Sequence, residues 1–271
     1  MAKQAIENCL ANYMDANAIT HLITVSCTGM SAPGLDLELI ELLDLPKNIY
    51  RSSINFMGCY AAIHALKMAN AICQSESNAR VMIVCTELCT LHFQDVANAD
   101  NIASSLLFGD GAAAVLVVSD DVAMQGLHLK SFYSEIVPKG KDDMSWVIAS
   151  TGFLMTLSGY VPDLIQADFE SLMHKAMDKA GISKEAIQYW CIHPGGKRIL
   201  DTIAKSLDFK EAELEQSLAV LKEYGNMSSP TVLFVLKKIM EQMQAGETAH
   251  IFGAAFGPGL TMETFIASTH A

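Results

Sequence analysis

Two segments of this 271-residue chain, residues 60–73 (YAAIHALKMANAIC) and 231–243 (TVLFVLKKIMEQM), have helical spacing but begin apolar on nearly every face. A surface helix shows one apolar stripe, so a helix apolar all round is one buried between layers. Each segment follows a glycine-bearing loop and precedes two strand-like runs. The pattern recurs at an offset of about 169 residues: Cys59 stands about 22 residues before Val81, and Ser228 about 22 before His250. Two copies of an α/β unit, each supplying one central helix, imply two sheets stacked around a shared helical layer.

The rest of the pattern is consistent with that plan. Runs rich in Val, Ile and Ala at 21–25, 81–85, 112–118, 189–193, 250–254 and 262–267 predict buried strands. Pro33 and Gly34 precede an amphipathic helix carrying Leu35, Leu39, Leu42 and Leu43, and Gly225 ends a predicted helix over 210–224. Residues 120–146 mix charge, Gly and Pro and read as the boundary between halves, dividing the chain into 1–122 and 123–271.

Composition excludes several classes of function. With 51% hydrophobic and 18% charged residues and a mean hydropathy of +0.27, the chain is not disordered or fibrous. Eighteen Lys and Arg against 30 Asp and Glu give a formal charge of −12, and no basic run exceeds a pair. That balance argues against nucleic acid and anionic membranes as partners. The longest apolar run, 112–118, is too short to span a bilayer, and the N-terminus lacks a signal pattern. Seven cysteines without CxxC spacing read as reduced thiols, so a cytoplasmic location is expected.

Three residues stand where chemistry is concentrated. Cys59 follows Gly58 and opens the first buried helix, where unpaired N–H groups and the helix dipole are expected to lower a thiol pKa. His193 ends a strand before Pro194, Gly195 and Gly196, which would leave its imidazole at the strand mouth. Asn226, in YGNMSSP, precedes the second buried helix, and the helices after Cys59 and Asn226 begin at matching places in the repeat. Each has a plain structural alternative: a packed core thiol, a satisfied histidine, an N-cap. Phe108-Gly109-Asp110-Gly111 and Ala255-Phe256-Gly257-Pro258-Gly259 read as turns feeding strands, without Walker or dinucleotide spacing. Lys197 and Arg198 are solvated helix charges or phosphate contacts. No His, Cys or Asp cluster has zinc spacing, so no metal is expected.

Taken together, ITHLITVSCTG, NFMGCYAA, ARVMIVCTEL, LLFGDGAAAVLV, CIHPGGKRIL, YGNMSSPTVLFVL and AFGPGLTMETF resemble the type III polyketide synthases, the chalcone-synthase-like branch of the thiolase superfamily. The resemblance implies an α/β, thiolase-like layered αβαβα fold built from two repeated halves. It implies nucleophile Cys59, catalytic His193 and Asn226, a gatekeeper at Phe108 and a second one replaced by Met155. Cavity positions fall on Cys27, Thr28, Cys89, His92 and Ser228, with Gly257 and Pro258 in the C-terminal loop and Lys197 and Arg198 toward coenzyme A. Ala32 takes the place of a larger methionine in plant members, on a segment that reaches a neighbour's cavity in a homodimer. Acyl-CoA and malonyl-CoA are then substrates, and no cofactor is implied. The smaller Ala32 and the apolar Cys27 and Cys89 suggest a medium- to long-chain fatty acyl starter and an alkylpyrone or alkylresorcinol product. The family carries a further segment before the strand matching 21–25, with early strands of the first sheet, so the N-terminal half reads as incomplete. Ketoacyl synthases of the fatty-acid type share the Cys, His, Asn set and are the rival enzyme reading; an inactive acyl-CoA-binding or dimer-scaffold fragment is the rival outside enzymes.

Overall fold

From its first residues the chain alternates helix and strand: α1 (Ala2–Leu10), β1 (His21–Ser26), α2 (Leu35–Leu43), β2 (Tyr50–Asn55), α3 (Ala61–Ser75), β3 (Arg80–Leu88), α4 (Ala99–Leu107) and β4 (Asp110–Val118). Next come β5 (Leu127–Ile136), the hairpin of β6 (Met144–Ala149) and β7 (Gly152–Leu157), α5 (Val161–Ala180), β8 (Tyr189–Ile192) and α6 (Lys197–Ser206). The chain closes with α7 (Glu215–Tyr224), α8 (Thr231–Gln242), β9 (His250–Gly257) and β10 (Thr261–Thr269). This computed structural model describes residues 1–269 apart from 12, 123, 151, 160 and 245.

The strands form two four-stranded sheets, ordered β2-β1-β3-β4 and β5-β10-β9-β8. In each, two parallel strands (β1 and β3; β8 and β9) are followed by an antiparallel one (β4; β10). The buried helices α3 and α8 occupy equivalent places, so the repeat read from the sequence is structural.

Five layers result. On the first sheet Leu22, Met82 and Val84 face outward against Ile6, Leu10 and Leu39 of α1 and α2. The alternate residues Ile23, Val25, Ile83 and Cys85 face inward, in one core with Ala62, Ile63 and Leu66 of α3, Val232 and Val235 of α8, and Cys191, Ile251 and Phe265 of the second sheet. The far face of the second sheet packs Trp190, Phe252 and Phe256 on Phe169, Leu172, Leu200 and Ile203 of α5 and α6. Burial on both faces explains why these strands read as unbroken apolar runs.

The stretch read as the boundary between halves, residues 120–146, also contains β5, an edge strand of the second sheet, and the start of β6. Two local expectations need correction. The predicted helix over 210–224 is a 3-10 turn, Glu211–Leu214, followed by α7. The run 112–118 is only half-buried: its counterpart β10 pairs with β5 on its outer side, whereas the outer edge of β4 has no strand partner among the described residues.

Candidate active site

Each of the three candidate residues sits on a loop that follows a strand or a helix. Cys59 lies between β2 and α3, where Phe56 (φ 58°) and Gly58 (φ 81°) turn the chain back. A side chain on Gly58 would begin 2.2 Å from Pro258 Cδ, and one on Gly257 would begin 2.6 Å from the Tyr60 ring and 3.3 Å from the Cys59 nitrogen. Glycine at both places lets the C-terminal Gly-Pro-Gly loop close directly on the cysteine loop.

His193 follows β8, and its N–H donates to Ala254 O at 2.8 Å. The side chain is 1% exposed, and among the described residues neither ring nitrogen has a hydrogen-bond partner. Asn226 follows the capping Gly225; its N–H donates to Leu107 O (2.9 Å) and its carbonyl accepts from Gly109 N–H (3.0 Å). The Phe-Gly-Asp-Gly turn of the first half is thereby pinned to the second half, with Phe108 bridged to Asn226. Asn226 Oδ1 accepts from Ser228 N–H at 2.8 Å and Thr231 Oγ1 at 3.4 Å, which leaves Nδ2 as the donor end, 3.4 Å from Gly195 O and 4.0 Å from Cys59 Sγ.

All three side chains line one cavity of about 320 Å³. Phe108, Met155, Cys27, Thr28, Cys89, His92, Ser228 and Pro258 line it too. Gly257 supports the wall from behind. Ala32 lies on an exposed loop and does not line its own chain's cavity. Lys197 and Arg198 are exposed on the first turn of α6, flanked by the lining residues Gly195 and Ile199; Lys197 pairs with Asp201 at 2.7 Å. Among the described residues no group of His, Cys, Asp and Glu is set to hold a metal ion, and no helix is long and apolar enough to cross a membrane.

Two features escaped the sequence reading. Glu87 is fully buried behind the cavity, where its carboxylate accepts from Cys27 N–H (2.9 Å), Thr28 Oγ1 (2.9 Å) and Ser229 Oγ (2.5 Å), tying the two halves together. The available signal was a carboxylate inside the apolar run ARVMIVCTEL. The β6–β7 hairpin supplies to the wall Trp146, at the end of the stretch that reads as a boundary, and Phe153, beyond it.

Electrostatically the cavity favours neutral groups. Burial pushes the Cys59 thiol up to about 11, outweighing hydrogen bonds from Ser228 and Asn226, with Glu87 nearby adding to the rise. This reverses the direction expected from a helix N-terminus: desolvation in a closed apolar site outweighs the dipole. Burial likewise lowers His193 to about 3, and it raises Glu87 against the pull of its hydrogen bonds. Burial, with Glu87 alongside, raises Cys27 to about 12.

A five-layered fold of two repeated halves, with Cys, His and Asn brought from both halves to one cavity, is the thiolase-like architecture. Residues 1–121 match the profile described as "Chalcone and stilbene synthases, N-terminal domain", and residues 128–270 match the C-terminal domain of the same description. The chain belongs to this family, the type III polyketide synthases. Among solved structures it is similar to the C-terminal type III polyketide synthase domain of Steely1, a type I/III hybrid from Dictyostelium (29% identity, TM-score 0.92, covering 100% of this chain and 76% of that one). It is also similar to 1,3,6,8-tetrahydroxynaphthalene synthase from Streptomyces coelicolor A3(2) (28%, 0.92, 99% and 77%). A third is PKS-I from the brown alga Ectocarpus siliculosus (28%, 0.90, 98% and 73%). The chain thus spans about three quarters of the length of these neighbours.

Proposed function

We propose that this protein condenses an acyl-CoA starter with malonyl-CoA by decarboxylative Claisen chemistry, with Cys59 as acyl carrier. The observation that carries this reading is the convergence of Cys59, His193 and the donor end of Asn226 on one apolar cavity. Cys59 Sγ attacks the thioester carbonyl as its proton passes to His193; the coenzyme A thiolate leaves and takes that proton. Malonyl-CoA then loses carbon dioxide, and the electron pair of the broken C–C bond moves into the thioester enolate. His193 and Asn226 Nδ2 donate hydrogen bonds to the enolate oxygen. The enolate carbon attacks the acyl carbonyl, a C–C bond forms, the C–S bond to Cys59 breaks, and the thiolate released takes one proton from solvent to return to the neutral thiol. Both catalytic groups start neutral, so no buried ion pair has to be maintained between turnovers.

Coenzyme A would approach past Gly195 and Ile199, bringing its phosphates toward Lys197 and Arg198. The apolar lining supports a fatty acyl starter and an alkylpyrone or alkylresorcinol product. A volume of about 320 Å³, at the small end of ligand pockets of roughly 300–1,000 Å³, favours the medium-length end of that range. A homodimer in the cytoplasm completes the reading, with the exposed loop at Ala32 directed toward the neighbouring cavity. Intact-mass analysis after incubation with an acyl-CoA, followed by product analysis with malonyl-CoA, tests the chemistry: an acyl adduct lost in Cys59→Ala supports it, and an adduct surviving in that variant overturns it. Sedimentation across a concentration series tests the dimer.

A further inference from the structure

We propose that Ser217, which lies outside the cavity, is a positioning residue that fixes His193 relative to Asn226. β8 is the outer strand of its sheet, with β9 on one side and no strand on the other among the described residues. His193 N–H is turned toward β9 and donates to Ala254 O at 2.8 Å. Successive residues of a strand direct their peptide groups to opposite sides, so the C=O of Ile192 is turned to the open side. Ile192 is fully buried, and its carbonyl needs a donor other than bulk water. Ser217 supplies one: its Oγ donates to Ile192 O at 2.6 Å. Ser217 and Val220 are the buried residues of α7, and packing alone would be served by alanine at 217. A helical serine commonly bonds the carbonyl one turn back, whereas this hydroxyl reaches a strand 25 residues away.

The two helices that flank Asn226 are both tied to the end of β8. α7 is capped by Gly225, next to Asn226, and holds Ile192 through Ser217. α8 begins at Thr231, and its Val232 O accepts from Cys191 Sγ at 3.4 Å. The loop that presents Asn226 is thus set against the strand that presents His193 by bonds made outside the cavity. A thiol is a weak donor, so the hydroxyl of Ser217 is the stronger of the two ties. Within the cavity the corresponding contact, Asn226 Nδ2 to Gly195 O, is longer at 3.4 Å. This inference rests on His193 and Asn226 acting together on the oxygen of malonyl-CoA.

The test separates the two claims. Ser217→Ala leaves Ile192 O without its donor and frees the end of β8 to shift. Malonyl-CoA decarboxylation should then lose about ten- to a hundredfold in kcat with KM unchanged, the effect of a displacement of about an ångström at a reacting group. Ser217→Thr keeps the hydroxyl and should recover most of the rate. Ser217→Cys, with its weak donor, should fall between the two and serves where the alanine protein does not fold. A second measurement needs no turnover. The ring signals of His193 in protein made with isotope-labelled histidine, assigned by their absence from His193→Gln, should move in Ser217→Ala and return in Ser217→Thr. Wild-type decarboxylation in Ser217→Ala overturns the inference, and so does an equal loss in all three variants. Where the wild type itself does not decarboxylate malonyl-CoA, the ring signals decide: signals that move and return leave Ser217 as the support of His193 and remove the catalytic reading, and signals that stay put overturn both.

Discussion

The backbone N–H of Ser228 donates to Asn226 Oδ1 at 2.8 Å, and this bond orients the amide so that Nδ2 is the end left to donate. Asn226→Asp keeps an acceptor for Ser228 and loses the donor. It should therefore fold and load acyl groups while releasing carbon dioxide from malonyl-CoA roughly a hundred- to a thousandfold more slowly. Asn226→Ala should be as slow and also less stable by about 1–3 kcal/mol, because the buried Ser228 N–H loses its acceptor. Labelled carbon dioxide release and urea unfolding measure the two effects separately.

The thiol of Cys59 offers a second check. With burial holding it near 11, the thiolate is a minor species at neutral pH, and its fraction rises about tenfold for each pH unit below that value. Alkylation of Cys59 by iodoacetamide should climb accordingly through the alkaline range. A rate that levels off near neutrality would mean that His193 already holds the thiol proton in the resting protein.

How much of this was legible beforehand depends on the range of the interactions. α3 and α8 declare their burial in their own composition, and Cys59, His193 and Asn226 stand out because glycine punctuates the loops that hold them. β5 was missed because it lies at a sheet edge, where Lys130, Ser131, Ser134 and Glu135 interrupt the apolar run. The hairpin wall was missed because exposed Val147 and Leu154 are as apolar as its cavity face, which cuts the alternation to the short runs Met144-Ser145-Trp146 and Met155-Thr156-Leu157. Glu87 depends on Ser229, 142 residues away, a pairing no local pattern can announce.

Glu87 leads to a stability prediction. Replacing it by Ala strands three buried donors, from Cys27, Thr28 and Ser229, and removes the tie between halves. A loss of about 2–5 kcal/mol is expected. Glu87→Gln should lose less, since its amide oxygen still serves part of the set. Urea midpoints at one pH decide the order; equal stability of Glu87→Ala and the wild type would show that the donors find other acceptors.

His193 should make the fold sensitive to acid. Its pKa is lowered to about 3 in the folded protein against about 6.5 in an unfolded chain. Above the unfolded value the imidazole is neutral in both states and contributes no pH dependence. Below it the unfolded chain binds a proton that the folded one refuses, so stability falls by about 1.4 kcal/mol for each pH unit until the folded value is reached. The cause is desolvation by burial, in a site where neither ring nitrogen has a partner among the described residues. His193→Gln places a group there that does not titrate, so its unfolding free energy should decline less steeply between those two values while matching the wild type's slope above them. Urea titrations of both proteins across that window give the comparison. Parallel slopes would mean that the folded protein takes up the proton at His193, with the cavity admitting a counter-charge or water as it does so.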